Sequence, residues 1–222
     1  MTMTPTLRKA ALATHISLSI GWIGAVLAYL VLVVAGITSQ GDRTLRAAWI
    51  AIELIGWYLI VPLALASLLT GIVMSLGTPW GLFRHYWVLI SFILTSVATA
   101  VLLQHMPTVS VFAAVAAEAD NASVGELRGA LGGELLHAGV GVVVLLFIQA
   151  LNVFKPQGMT AYGRKRASRV ALASHPVVEA RPRPSLGPTS RVPRWAKVVG
   201  IHVIGLVLLF AVVHLAGGGM SH

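Results

Sequence analysis

The stretch AALATHISLSIGWIGAVLAYLVLVVAGI, residues 10–37, decides the class of fold: it contains no Asp, Glu, Lys or Arg and is long enough to cross a bilayer as one helix. Arg8 and Lys9 stand before it. A cleavable leader has an apolar core of about 7–15 residues, so this segment reads as a retained span. Working outward, residues 47–76 form a second, overlong apolar stretch with Pro62 in its middle as the natural kink. A third span, 86–106, lies between the turn Gly77-Thr78-Pro79-Trp80-Gly81 and Pro107. The fourth, 135–154, ends at Lys155-Pro156, and a fifth, 196–216, ends in Gly217-Gly218-Gly219. The rest of the 222-residue chain agrees, with 57% hydrophobic and 10% charged residues and a mean hydropathy of +0.85; a soluble domain carries about 25% charge. The expected fold is all-α: a polytopic membrane helical bundle with a four-helix core over residues 1–157 and a fifth C-terminal transmembrane helix within 195–222.

Lys and Arg set the orientation, because positive loops stay on the cytoplasmic side. Only Arg43, Arg46 and Arg128 fall in segments that are outside if the amino end is inside. The expectation is a bacterial inner-membrane protein with a cytoplasmic amino end and an extracytoplasmic carboxyl end. The net charge of +9 is then mostly topology and needs no nucleic-acid partner. Residues 158–194 are rich in Arg and Pro and read as a disordered cytoplasmic linker lying against anionic lipid head groups. The connection 108–134 carries Ser123-Val124-Gly125-Glu126, a capping box, and suggests a short surface helix or flap.

With no cysteine in the chain, disulfides, thiolate zinc sites and cysteine-held iron–sulfur clusters are excluded. No phosphate loop, zinc-hydrolase pair or nucleophile elbow occurs either, which disfavours hydrolase and nucleotide chemistry. Chemistry falls to polar groups at membrane depth, where they are costly. His15 and His202 lie at comparable inner depth, with His85 at the inner edge of the third span; His105, His137 and His214 gather toward the outer side. Haem b could be held by His15 with His202 or by two of the outer three. Copper suits imidazole and thioether together: His105 is followed by Met106, His137 is near in depth, and Met220 and His222 lie in the tail. Glu53, the only acid inside a span, is the candidate proton relay of a proton-coupled transporter. The competing reading is an assembly or scaffold protein in which these histidines satisfy local hydrogen bonds. The small-residue seam Ser17, Gly21, Gly24 and Ala28 would then pack against a membrane partner or a second copy. Most Trp and Tyr residues fall near span ends, as interfacial anchors do.

Thr14-His15-Ile16, Gly21-Trp22-Ile23-Gly24, Leu69-Thr70-Gly71, Tyr86-Trp87-Val88-Leu89 running to His105-Met106, and Lys155-Pro156-Gln157-Gly158 with Tyr162-Gly163 resemble a group of bacterial polytopic membrane proteins. Their layout is similar to the copper-resistance protein D family and, more distantly, to the haem-binding membrane protoporphyrinogen oxidase. The resemblance spans roughly residues 8–165 and implies His15 and His105 as functional positions. Ser91 stands where a lysine is expected in the oxidase relatives, so protoporphyrinogen oxidation is not among the implications carried over.

Overall fold

The computed structural model describes residues 3–78, 80–118, 124–174, 193–201 and 205. Along the chain come the helices α1 (Pro5–Thr38), α2 (Asp42–Ile55), α3 (Val61–Gly77), α4 (Tyr86–Ala117), α5 (Val124–Phe154) and α6 (Ala161–Ser174), and residues 194–201 are helical as well. A π-helical turn, Gly56–Ile60, joins α2 to α3 without a break. Four helices are long and apolar enough to cross a membrane: Pro5–Thr38, Asp42–Gly77, Tyr86–Ala117 and Val124–Phe154, of 34, 36, 32 and 31 residues. At 1.5 Å per residue they measure about 46–54 Å, against a hydrocarbon core of about 30 Å. The chain thus has the form of a multi-pass helical membrane protein.

Each helix end has a local cause. The Thr4 hydroxyl accepts from the Leu7 N–H and Pro5 fills the first turn of α1, where its missing donor is not needed. At the far end the Arg128 guanidinium donates to the carbonyls of Ile37 and Ser39, at 2.9 and 2.7 Å. Arg46 does the same for Ala116 in the last turn of α4, at 3.2 Å. Both cations sit where helix dipoles are negative. α5 stops before Pro156, which disfavours helical geometry at Lys155; that residue has φ 43°.

Several expectations from the sequence change. The helix of the third span does not end at Met106: α4 continues through Pro107 to Ala117. Pro107 and Leu103, whose carbonyl the proline leaves unbonded, both lie on the exposed side, while Met106, Val109, Ala113 and Ala116 continue a buried stripe. Packing along that stripe offsets the lost hydrogen bond. The fourth helix begins at Val124 rather than at 135, so 124–134 extends α5 instead of forming a flap. The start at Val124 is where a capping box would place it, although Ser123 itself lies outside the described residues. The irregularity expected at Pro62 is the π turn just before it, where the Val61 N–H reaches the Gly56 carbonyl, five residues back. Within the linker 158–194, Ala161–Ser174 is helical; residues 175–192 are outside the described set. Of the fifth span, residues 196–201 are helical and, apart from Gly205, the remainder lies outside the described residues.

The chain divides into two compact units. In the first, Met1–Pro79 with Ser91–Phe154, α1 packs along α2, the π turn, α3 and α5. Its buried stripe is Trp22, Ala25, Val26, Tyr29, Val33 and Gly36. The tight point is Gly36, where an added Cβ would stand 3.0 Å from Ala48 Cβ and 2.7 Å from Leu131 Cδ1. Of the seam Ser17, Gly21, Gly24 and Ala28, the residues Ser17, Gly24 and Ala28 are exposed, and nothing lies within 4 Å of a Cβ built on Gly24, so the close packing within this unit is at Gly36 instead. α4 joins the unit through side chains. Phe112 stacks on Trp49 at 4.9 Å, Ser110 accepts from the Trp57 indole at 3.0 Å, and Met106 presses on Gly56. Trp49, fully buried and donating to the Leu127 carbonyl at 3.0 Å, is a core residue rather than an interfacial anchor.

The second unit comprises Trp80–Ile90 and Lys155–His222. Its described part is pinned by backbone bonds from Tyr86 N to Gly158 O at 3.2 Å and from Thr160 N to Arg84 O at 2.9 Å. Gly163 packs directly on the Arg84 backbone, leaving no space for a Cβ.

Gly36→Ala is expected to lower stability by about 1–3 kcal/mol through overpacking, whereas Gly24→Ala should stay within about 0.5 kcal/mol of the parent. Thermal unfolding of the two detergent-purified variants, followed by loss of the monodisperse peak, checks the contrast.

Candidate functional site

The buried stripe of α5 is Leu127, Leu131, Glu134, Ala138, Val142, Leu145, Ile148 and Leu151, with the carboxylate set among apolar residues at helical spacing. Glu134 is 4% exposed. A buried charge costs several kcal/mol unless it is paired and hydrogen-bonded, and two other helices supply the partners. From α1 the Tyr29 hydroxyl donates to Glu134 Oε2 at 2.6 Å. From α4 the His105 Nε2–H is shared between Oε1 at 2.9 Å and Oε2 at 3.0 Å. His137, one helical turn beyond Glu134 on α5, lays its ring on that of His105, with centroids 3.8 Å apart and planes 12° from parallel.

Depth follows from helix arithmetic. Tyr29 is about 14 Å from the end of α1, Glu134 about 15 Å from the start of α5 and His105 about 18 Å from the end of α4, at 1.5 Å per residue. The helices exceed the hydrocarbon thickness by about 8–12 Å at each end if centred. Centred in this way, the helices would put the cluster several ångströms inside the apolar layer.

Of the residues proposed from the sequence, the structure joins His105 and His137, and adds two that the sequence had not marked as site residues, Glu134 and Tyr29. Met106 is not turned toward the pair. It is 1% exposed and points into the π turn, where a Cβ on Gly56 would meet its Cε and Sδ. Among the described residues no three His, Asp or Glu side chains are arranged to hold a metal ion. The stacking supplies a reason: imidazole lone pairs lie in the ring plane, so parallel rings direct them side by side instead of toward one point. The same geometry does not fit His105 and His137 as the two axial ligands of a haem, which must face each other across the iron.

His15 belongs to a separate polar patch, between α1 and α3. Its Nδ1 is 2.9 Å from the Thr70 hydroxyl, which itself gives its proton to the Ala66 carbonyl at 2.7 Å. Thr70 therefore accepts from the His15 Nδ1–H. Ser19 donates to the His15 carbonyl at 2.8 Å and lies 2.9 Å from the Ser67 hydroxyl. Gly71 keeps room for the imidazole, since its Cβ would lie 3.3 Å from His15 Cε1. His15 is fourteen residues from Tyr29, about 21 Å along α1, so it does not share a ligand with His105. Glu53 is half-buried, and its carboxylate has no hydrogen bond to another described residue. His85, in the second unit, donates from Nδ1 to the Trp80 carbonyl at 2.7 Å and meets the Trp80 ring edge-on. His202 and His214, with Met220 and His222, lie outside the described residues.

One signal could have found Glu134. It occupies the position that the spacing Leu127, Leu131, Ala138, Val142 reserves for a buried residue, and so faces inward although a hydropathy window places it in a loop. Comparison with known proteins adds no further assignment: no family model, no curated protein and no solved structure matches the chain.

Proposed function

We propose that this chain exchanges protons at membrane depth and couples that exchange to the movement of another solute, with Glu134 as the exchanging carboxylate. The observation that carries this reading is the buried Glu134 held by donors from two other helices, Tyr29 and His105, with His137 stacked against the second. Ionisable groups inside a membrane bundle are expensive and mark proton or ion pathways. Here an imidazolium–carboxylate pair and its neutral tautomer carry the same net charge, so a proton can change owner within the pair without leaving a lone buried charge. Tyr29 holds Oε2 in place in both forms. His137 is only half-buried and extends the chain of titratable groups away from Glu134. With the amino end cytoplasmic, as the Lys and Arg distribution favours, the cluster belongs to the extracytoplasmic half of a bacterial plasma membrane. Glu134 takes the relay role that composition alone had suggested for Glu53.

A second reading, haem or copper held through a membrane histidine, has one observation in its favour: the Thr70 hydroxyl orients His15 through Nδ1, as the outer partner of a metal-ligating imidazole does. It predicts a Soret band or bound copper in the purified chain that disappears in His15→Ala. A protein without pigment or copper discards it.

For the first reading, infrared difference spectra of the reconstituted protein across a pH step should show a carboxylic C=O band that is missing in Glu134→Gln and shifted in Tyr29→Phe. An unchanged band in Glu134→Gln overturns it. Tyr29→Phe should also lower thermal stability by about 1.5–3 kcal/mol, the range for a hydrogen bond to a charged group.

A further inference from the structure

The described residues of the second unit carry Arg84, Lys155, Arg164, Lys165, Arg166, Arg169, Arg194 and Lys197, and not one Asp or Glu. Half of these cations lie on α6. Tyr162, Lys165, Arg166 and Arg169 have the spacing i, i+3, i+4, i+7 and so share one helical face. All four are exposed. Arg166 reaches back to the Tyr162 hydroxyl at 3.4 Å, so the aromatic ring and the cations form one continuous strip.

This strip is held at a fixed place. The Thr160 hydroxyl donates to the Phe83 carbonyl and accepts from the Gly163 N–H. Thr160 N bonds Arg84 O, and Tyr86 N bonds Gly158 O. α6 therefore starts beside the first turn of α4, a helix long and apolar enough to cross the membrane. Trp80 and Tyr86 at that place are the residue types that settle at the lipid–water boundary. Exposed Phe83 and Tyr162 add apolar surface beside the charges.

We propose that α6 lies on the bilayer surface and that its Tyr162–Lys165–Arg166–Arg169 face binds the head groups of anionic phospholipids. Charge complementarity identifies the occupant: a strip of cations with no acidic residue among the described residues of its unit, anchored next to the start of a membrane helix, meets phosphate groups as the nearest abundant anions. The reading is independent of proton exchange at Glu134, which lies in the other unit.

The test uses the full chain, purified in detergent with mixed phosphatidylcholine and phosphatidylglycerol, and counts retained lipids by native mass spectrometry. The parent protein should retain phosphatidylglycerol in excess over phosphatidylcholine. The triple variant Lys165→Gln, Arg166→Gln, Arg169→Gln should lose that excess by tenfold or more, since each basic residue near an anionic surface contributes about fivefold. A control that removes the same charge elsewhere, Arg8→Gln, Lys9→Gln, Arg43→Gln, should keep it. Equal retention by the parent and the α6 variant overturns the proposal, as does an equal loss in the control, which would reduce the effect to net charge. These side chains are exposed, so all variants should keep the helical circular dichroism of the parent.

Discussion

A carboxylate buried to 4% exposure among apolar side chains has to be answered by donors, and the answer given to Glu134 arranges much of the bundle around it. Tyr29 must come from α1 and His105 from α4, each with its helix rotated to present that side chain. The demand is strongest on α4. That helix approaches its neighbours through long side chains, and its contacts are specific ones: His105 on Glu134, Met106 in the π turn, Phe112 on Trp49 and Ser110 under the Trp57 indole. Dispersion alone would let such a helix slide, because lipid tails are as apolar as its own surface. The polar contact at His105 gives it one register.

How much of this was legible in the sequence differs between span cores and span ends. The cores of the four membrane helices follow from composition, because uncharged runs of that length have one stable form in lipid. The ends do not. Pro107 looks like a terminator when read alone, yet the buried stripe from Met106 to Ala116 continues past it and outweighs one missing hydrogen bond. Glu134 and Arg128 both look like loop residues in a hydropathy window. In the fold Glu134 is a core residue and Arg128 caps another helix. Window averages weigh how polar a segment is; burial depends on which residues share a face.

The same averaging explains α6. Taken as a whole, residues 158–194 are rich in Pro and Arg and read as unable to form a core. The prolines of that segment all come after Ser174, however, so Ala161–Ser174 has no helix breaker and follows a well-anchored turn. Within the site, His105 and His137 were recognisable by type and depth. Their mutual stacking and the turning away of Met106 were not, since both depend on side-chain packing that no spacing rule contains.

The π turn at Gly56–Ile60 sets the phase of everything after it. One surplus residue in a turn advances the following helix by about 100°. Trp49 and Ser67 are separated by about five turns of an unbroken α-helix, which would put both on one face. The surplus residue turns them apart, so that Trp49 meets α5 and Ser67 meets α1. Trp49 can lock the end of the bundle near the cluster while Ser67 and Thr70 bring hydroxyls to Ser19 and His15. A single unbroken α-helix of the same composition would satisfy one of these addresses and miss the other, so the two polar sites are kept in step by a fault in the helix that connects them.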